Sequence, residues 1–230
     1  MIKVLISPSN VEEAKECIIG GAHIIDVKNP KEGSLGANFP WVIEEIAKLA
    51  KKYGLEVSAT IGDINKPGTA SLAALGTAIL GVDYIKVGLF VDDIDIATRI
   101  LASVAKTVKD YEVKVVGAVY ADWDRAGTIN PLTIIDIAVK CDVEGVMIDT
   151  AIKDGKSLFD FMDLNSIATF IDSAHENGLF CALAGGLNWS HIKILKKLKP
   201  DIIGVRTMVC ENGRNSKIKK ELVEKLVKSL

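Results

Sequence analysis

Short apolar runs alternate with longer amphipathic segments along the whole chain. The eight short runs are typical of buried strands and cover residues 4–6, 23–27, 57–61, 83–88, 113–120, 145–149, 179–183 and 201–205. Each run is followed by hydrophobic residues at helical spacing. The predicted helices start at Asn10 and cover residues 39–53, 69–80, 94–109, 131–140, 164–177, 189–198 and 217–230, with residues 122–125 in a loop.

The connections between the runs indicate how the strands pair. A helix in each connection suits a βαβ crossover, which places successive strands parallel. Eight such units in succession predict an α/β protein with the (β/α)₈ TIM-barrel fold, as a single domain over residues 1–230. This length is slightly below the ~250 residues typical of the fold. A doubly wound open sheet is the alternative, but it normally has fewer strands and gives no reason for eight equal units.

Composition narrows the class of protein. Of the 230 residues, 49% are apolar and 25% are charged, as in a soluble globular protein. The formal net charge of −2 gives no reason to expect nucleic acid or a membrane as a partner. No apolar run approaches the ~18–20 residues that span a bilayer, so we expect a cytoplasmic protein. A homo-oligomer stays open, because the sequence identifies no exposed face.

The cysteines and histidines do not form a recognisable pattern. The four cysteines are scattered, at Cys17, Cys141, Cys181 and Cys210. None belongs to a Cys-x-x-Cys pair, and none stands beside a histidine at ligand spacing. We therefore predict no metal site, no disulfide framework and no His–Cys catalytic pair.

Ionisable residues stand at the carboxyl ends of the predicted strands, where the active site of such a barrel lies. Asp26 and Lys28 are two residues apart and share one face of the second strand. Lys86 lies on the fourth strand, and Asp149 and Lys153 lie on and after the sixth. A lysine buried there costs free energy unless it is paired or used. The structural alternatives are salt bridges for the lysines and a helix cap for Asp149.

Repulsion between neighbouring amines is expected to lower the pKa of one lysine, which would activate it as a nucleophile or base. Alternate strands contribute side chains to one interior layer, so Lys28, Lys86 and Asp149 can point toward one another across the mouth. Two ammonium groups about 5 Å apart repel by roughly 3 kcal/mol at an effective dielectric constant of ~20, which lowers one pKa by about two units. Asp26 and Asp149 oppose that shift, so the outcome depends on distances that the sequence does not contain.

A phosphate site is predicted after the seventh and eighth strands, where barrels bind phosphate through backbone N–H groups. Gly185 and Gly186 follow the seventh strand, Gly204 lies in the eighth, and Arg206 follows it. The planar fork of an arginine suits an oxyanion. Lysines, carboxylates and a phosphate site together indicate an aldolase-like lyase that acts on a sugar phosphate through a Schiff base, without a cofactor.

Three stretches closely resemble the (5-formylfuran-3-yl)methyl phosphate synthase family of methanofuran biosynthesis. They are Asp-Val-Lys-Asn-Pro-Lys-Glu-Gly-Ser-Leu-Gly-Ala (26–37), Asp-Tyr-Ile-Lys-Val-Gly (83–88) and Asp-Thr-Ala-Ile-Lys-Asp-Gly-Lys (149–156). The resemblance runs the length of the chain. It implies a barrel similar to class I aldolases, which joins two molecules of glyceraldehyde 3-phosphate and loses one phosphate and water to form a phosphorylated hydroxymethyl-furaldehyde.

The resemblance also implies roles for the five residues at the strand ends. Lys28 would form the Schiff base, and Lys86 would accept protons. Lys153, Asp26 and Asp149 would support them, although many aldolase barrels carry the Schiff base on the sixth strand, which would favour Lys153. Two rivals stay open at this point: another Schiff-base aldolase, such as deoxyribose-phosphate or fructose-bisphosphate aldolase, and a non-catalytic sugar-phosphate sensor.

Overall fold

A computed structural model describes residues 1–230 and contains a closed barrel of eight parallel strands. In chain order the strands are β1 (Lys3–Ile6), β2 (Ile24–Val27), β3 (Glu56–Asp63), β4 (Tyr84–Gly88), β5 (Lys114–Tyr120), β6 (Gly145–Asp149), β7 (Phe180–Leu183) and β8 (Ile202–Val205). β1 pairs with both β2 and β8, which closes the sheet. The predicted (β/α)₈ barrel is confirmed, and the open-sheet alternative is excluded.

Helices connect the strands on the outside of the barrel. They are α1 (Val11–Ile19), α2 (Pro40–Lys51), α3 (Pro67–Ala78), α4 (Ile94–Val108), α5 (Trp123–Ala126), α6 (Ile134–Cys141), α7 (Leu164–Glu176), α8 (Ile192–Leu198) and α9 (Lys220–Ser229). α6 and α8 begin later than predicted, because their first turns, Pro131–Thr133 and Trp189–His191, are 3₁₀ turns. Residues 122–125, predicted as a loop, include most of α5. None of the helices combines the length and apolar character needed to cross a bilayer.

Local signals in the sequence determine where several helices begin. The Asn10 side chain accepts a hydrogen bond from the backbone N–H of Glu13 at 2.9 Å, which caps α1. Asp163 caps α7 in the same way, through the backbone N–H of Ser166 at 2.8 Å. Pro40 occupies the first turn of α2, where a missing N–H leaves no hydrogen bond unmade.

Successive side chains along each strand point alternately outward and inward, which gives an outer and an inner set. Residues that point outward, such as Val4, pack between the sheet and the helices. Residues that point inward, such as Ile24 and Tyr84, fill the barrel. Two positions further along their strands the same inward row carries Asp26 and Lys86. The floor of the barrel is therefore apolar, and its carboxyl end is ionisable.

A buried ion pair joins β8 to α1 at the carboxyl end of the barrel. Arg206 donates through Nη1 to Glu13 Oε2 at 2.8 Å and through Nη2 to Glu13 Oε1 at 3.0 Å. Burial acts to raise the pKa of Glu13, but the hydrogen bonds from Arg206 and Ser9 hold it below its usual value. Arg206 also donates to the carbonyl oxygen of Ser7 at 2.7 Å, so that β1, α1 and β8 converge on one guanidinium.

Removal of the Glu13 carboxylate will destabilise the fold. The substitution Glu13→Ala leaves the guanidinium of Arg206 buried without its counter-charge, and we expect the free energy of unfolding to fall by about 3–5 kcal/mol. Chemical denaturation measures this loss. The control is Glu45→Ala on the exposed face of α2, which should change the free energy by less than about 0.5 kcal/mol. A loss for Glu13→Ala no larger than the control's would contradict the role assigned to the pair.

Candidate functional site

The structure brings five ionisable side chains together at the carboxyl end of the barrel: Asp26, Lys28, Lys86, Asp149 and Lys153. Lys28 is 5% exposed and Lys86 is 1% exposed, while Lys153 is half-buried at the rim. Three amines and two carboxylates therefore share a region that is poor in water, where electrostatic interactions are stronger than at the surface.

Lys86 and Asp26 form the deeper ion pair. Lys86 Nζ lies 2.7 Å from Asp26 Oδ2, and the hydroxyl of Ser7 donates to the same oxygen at 2.8 Å. The other carboxylate oxygen, Asp26 Oδ1, is buried and has no hydrogen-bond partner. Asp26 therefore keeps one oxygen available to accept a further proton or hydrogen bond.

Asp149 lies between the other two lysines. Its Oδ1 accepts hydrogen bonds from Lys153 Nζ at 2.6 Å and from the backbone N–H of Thr150 at 2.7 Å, and its Oδ2 lies 3.9 Å from Lys28 Nζ. Burial acts to raise the pKa of Asp149, but the two lysines outweigh burial and hold the pKa far below its usual value. The helix-cap alternative is excluded, because the next helical turn begins only at Leu158.

Lys28 is the lysine whose amine is activated. Burial lowers its pKa to about 7; Asp149 opposes the lowering, and Lys86 adds to it. Repulsion between amines, predicted from the sequence as the cause, contributes less to the lowered pKa than loss of hydration does. Near neutral pH the neutral amine, the form that attacks a carbonyl, is therefore available on Lys28.

Two loops meet above these residues. The hydroxyl of Ser34, in the loop after β2, donates to the carbonyl oxygen of Thr150, in the loop after β6, at 2.7 Å. Leu35, next to Ser34, is fully buried, and its carbonyl oxygen accepts a hydrogen bond from the hydroxyl of Thr60 on β3. Lys28 Nζ donates to the carbonyl oxygen of Ser34 at 3.3 Å, so the loop also holds the amine in place.

Asp122 supports the loop that carries Lys153. Its two carboxylate oxygens accept the backbone N–H groups of Ala151 at 2.6 Å and Ile152 at 2.9 Å. Sequence reasoning did not select Asp122 as a functional residue. The signal was its place two residues after the end of β5, near the strand-end position that identified Asp149.

A pocket opens on one half of the barrel mouth. Lys28, Asp149 and Lys153 line it together with residues from β1, from the loops after β7 and β8, and from the end of β6. No residue of β3, β4 or β5 contributes to the lining. Lys86 and Asp26 are also absent from it, because they lie deeper in the barrel.

The predicted phosphate-binding glycines all line this pocket. Gly185 has a φ of +89° and Gly186 a φ of +59°, a region that other residues rarely adopt. A Cβ atom at Gly185 would lie 2.8 Å from the backbone nitrogen of Thr150, and one at Gly186 would lie 2.4 Å from the carbonyl oxygen of Lys156. The turn after β7 therefore packs directly against the loop after β6. Gly204 lies within β8, where it borders the inner side chains of the barrel.

Arg206, predicted with these glycines as a phosphate ligand, also borders the pocket. However, four of the five N–H donors of its guanidinium are already bound to Glu13, to the carbonyl oxygen of Ser7 and to the carbonyl oxygen of Arg214. The structure thus places Arg206 in a structural ion pair beneath the pocket.

A second pair of ionisable groups lies on the opposite half of the mouth. The hydroxyl of Tyr120, at the end of β5, donates to Asp63 Oδ1, at the end of β3. Burial raises the pKa of both groups. A Cβ atom at Gly88 would lie 2.4 Å from Asp63 Oδ1, so only a glycine fits beside this pair on β4.

A His–Cys contact exists at the other end of the barrel, although the sequence predicts no His–Cys catalytic pair. His175 Nε2 lies 2.8 Å from Asp201 Oδ2 and 3.7 Å from Cys181 Sγ. The backbone N–H of Cys181 donates to the same Asp201 oxygen at 2.8 Å. Burial raises the pKa of the Cys181 thiol to about 12, so the thiol stays protonated and inert as a nucleophile. The cluster connects α7, β7 and β8.

The site as a whole can perform amine–carbonyl chemistry with proton transfer. It has one amine that is neutral in part at pH 7, a carboxylate within 3.9 Å of that amine, and a second amine hydrogen-bonded to the same carboxylate. A neutral amine can attack a carbonyl carbon, and the neighbouring groups can move the protons that imine formation requires.

The sequence is similar to those of known synthases over its full length. The family model described as 4-HFC-P synthase matches residues 4–227. A (5-formylfuran-3-yl)methyl phosphate synthase from Archaeoglobus fulgidus is 56% identical, with coverage of 100% of this chain and 99% of that protein. The enzymes of the same name from Methanocaldococcus jannaschii and Methanosarcina mazei are 53% and 52% identical, with coverage of 97% and 98% of this chain and the same shares of theirs.

Solved structures share the fold at much lower identity. A 3-hexulose-6-phosphate synthase has a TM-score of 0.69 at 15% identity, with full coverage of both chains. A deoxyribose phosphate aldolase from Aeropyrum pernix has a TM-score of 0.60 at 17% identity, with coverage of 89% of this chain and 84% of that one. These similarities establish the barrel fold alone, so the chemistry has to be inferred from the residues of the site. The family match and the synthases about 50% identical to this chain establish that it is an enzyme that belongs to the 4-HFC-P synthase family, as its three motif stretches predict.

Proposed function

We propose that this enzyme joins two molecules of glyceraldehyde 3-phosphate to form (5-formylfuran-3-yl)methyl phosphate, through a Schiff base on Lys28, in methanofuran biosynthesis. The atoms balance when one phosphate and two waters leave. The observation that carries the proposal is a buried lysine amine with a pKa of about 7, 3.9 Å from a carboxylate, in a chain whose family has this product in its name.

The neutral amine of Lys28 attacks the aldehyde carbon of one glyceraldehyde 3-phosphate, and water leaves to give the imine. Loss of the C2 proton gives an enamine, which expels the phosphate from C3 and leaves an enol whose C3 carbon attacks the ketone of the second triose, isomerised beforehand through an enediol to dihydroxyacetone phosphate. Closure of the ring through the free hydroxyl of the second triose, loss of two waters and hydrolysis of the imine, which takes back the water released when the imine formed, complete the furan and free Lys28. Each step exchanges protons with groups near the amine.

Three groups are placed to exchange those protons. Asp149 is the carboxylate next to Lys28, and Lys153, 2.6 Å from Asp149, stands at the rim where substrate enters. Lys86, with Asp26, takes the role of proton acceptor deeper in the barrel, where one oxygen of Asp26 has no hydrogen-bond partner. Gly185, Gly186 and Gly204 line the side of the pocket where we place a substrate phosphate.

Incubation of the purified enzyme with glyceraldehyde 3-phosphate alone tests the overall reaction. We expect a furan absorbance to appear and one inorganic phosphate to be released for each furan formed, with the product mass confirmed by mass spectrometry. A simple aldol product without a furan would indicate another Schiff-base aldolase. Binding without consumption would indicate a sugar-phosphate sensor, and either result would contradict the proposal.

The substitution Lys28→Arg will abolish turnover. Arginine keeps the positive charge but cannot form the imine, so we expect furan formation to fall by at least about a thousandfold. Borohydride reduction in the presence of substrate should add one triose to the wild-type peptide that contains Lys28 and to no peptide of the variant. The matched control is Lys31→Arg, an exposed lysine of the same loop, which should keep wild-type turnover. An adduct on Lys153 in the wild type would assign the Schiff base to that residue.

Activity will depend on pH through the ionisation of Lys28. Because only the neutral amine attacks and its pKa is about 7, kcat/KM should fall about tenfold for each pH unit below 7 and level off above it. Initial rates between pH 5 and 9 measure this profile. Activity that stays constant down to pH 5 would contradict an essential amine with this pKa.

Substitution of Asp149 tests whether the acidic limb of this pH profile reports the ionisation of Lys28. Asp149 acts to raise the pKa of Lys28, so in Asp149→Asn the acidic limb of the profile should move to lower pH. The matched variant Asp154→Asn removes an exposed carboxylate of the same loop and should leave the limb in place. A lower rate for Asp149→Asn with an unmoved limb would show that Asp149 does not control the charge of Lys28.

A further inference from the structure

Arg214 has a guanidinium group without a counter-charge inside the pocket. It lies in the loop between β8 and α9, and its side chain lines the pocket together with Lys28, Lys153 and Asp149. Its Nη2 atom is buried and has no hydrogen-bond partner. The side chain takes part in none of the ion pairs of the protein. Arg214 is half-buried, and its one buried donor is unpaired, so the group is suited to a ligand that supplies the missing anion.

Hydrogen bonds tie the backbone of the loop that carries Arg214 to itself and to Arg206. Its ends are joined by a bridge between Cys210 and Ile218. Within it, the backbone N–H of Asn212 donates to the hydroxyl of Ser216 at 2.7 Å. The carbonyl oxygen of Arg214 itself accepts a hydrogen bond from Nε of Arg206 at 2.9 Å. A preorganised donor binds an anion with less loss of conformational entropy than a mobile one.

The two arginines near the pocket therefore differ in what they can do. Arg206 has four of its five N–H donors bound within the protein and a carboxylate, Glu13, that neutralises it. Arg214 has neither a carboxylate nor a hydrogen bond from its side chain. Burial acts to lower the pKa of Arg214 and Asp149 acts to raise it, which agrees with a cation that has only a distant anion.

The charges in the pocket favour a dianion. Lys28, Lys153 and Arg214 contribute three basic groups, and Asp149 contributes one carboxylate. The turn at Gly185 and Gly186 forms the adjoining wall, where a ligand can approach the backbone closely. A guanidinium can bind two oxygens of a phosphate at once, whereas an ammonium group acts as a point charge.

We propose that Arg214 binds the phosphate group of the triose phosphate whose carbonyl reacts with Lys28, and that Arg206 acts as a positioning residue that holds the Arg214 loop through Glu13 and Ser7. This inference rests on the proposed function, since it assigns a ligand group within the same site. It replaces Arg206 with Arg214 as the arginine that touches substrate.

The test compares Arg214→Gln with wild type in three measurements. The KM for glyceraldehyde 3-phosphate should rise about 10- to 100-fold, in line with the loss of a charge-assisted bidentate contact. The dissociation constant for inorganic phosphate, measured by titration calorimetry, should rise by a similar factor. Borohydride trapping of glyceraldehyde, which has no phosphate, on Lys28 should stay within about twofold of wild type. The matched control is Lys217→Gln, an exposed cation of the same loop, which should change none of the three.

The variant Arg206→Lys should affect stability more than phosphate binding, so it separates a loss of binding from a loss of folding. It should lower the midpoint of thermal unfolding more than Arg214→Gln does, and at a temperature where it is folded it should weaken phosphate binding less. Unchanged phosphate affinity in Arg214→Gln, or a larger loss in folded Arg206→Lys, would overturn the inference. If wild type traps no triose on Lys28, the proposed function fails, whereas a wild-type adduct with an unaffected Arg214→Gln variant refutes only the assignment of Arg214.

Discussion

The cost of burying ammonium groups is the constraint on which the barrel mouth depends. Closure of the sheet turns every second side chain inward, so lysines placed in the inward rows lose water whether or not the site uses them. Lys86 offsets this cost with a carboxylate at 2.7 Å. Lys153, half-buried in the loop after β6, pairs with another carboxylate at 2.6 Å. Lys28 has only a carboxylate at 3.9 Å, and its pKa falls accordingly. The three lysines thus differ in environment: Lys86 and Lys153 are held in close ion pairs, and Lys28 keeps an amine whose pKa is lowered.

The same principle separates the two arginines after β8. Arg206 and Arg214 are eight residues apart in the chain, and both border the pocket. One is neutralised by a carboxylate and organises the backbone, while the other carries its charge into the pocket. The arginine that is better bonded within the protein is therefore the poorer candidate for binding a ligand, because its donors are already occupied.

The fold and the strand-end residues follow from local sequence patterns. The alternation of apolar runs with helical segments predicts the barrel, and the two-residue spacing of Asp26 and Lys28 predicts that both face its interior. Glu13, which forms the ion pair with Arg206, is 193 residues away from it in sequence, so no local pattern could identify that pair. The contact between His175 and Cys181 is local, six residues apart, and depends on the turn between α7 and β7 that brings the two side chains together. The sequence also could not separate repulsion from burial as the cause of the Lys28 shift, because burial is a property of the closed structure.

One hydrogen bond gives the barrel mouth an unexpected geometry. β2 and β6 stand on opposite sides of an eight-stranded barrel, so the contact between Ser34 and Thr150 spans the opening as a strut. Lys28 and Lys153 border the pocket, while Tyr120 and Asp63 lie outside its lining. For the proposed reaction, both trioses must therefore either fit beside this strut in the pocket that Lys28 borders, or the hydrogen bond must break before their carbon atoms can meet.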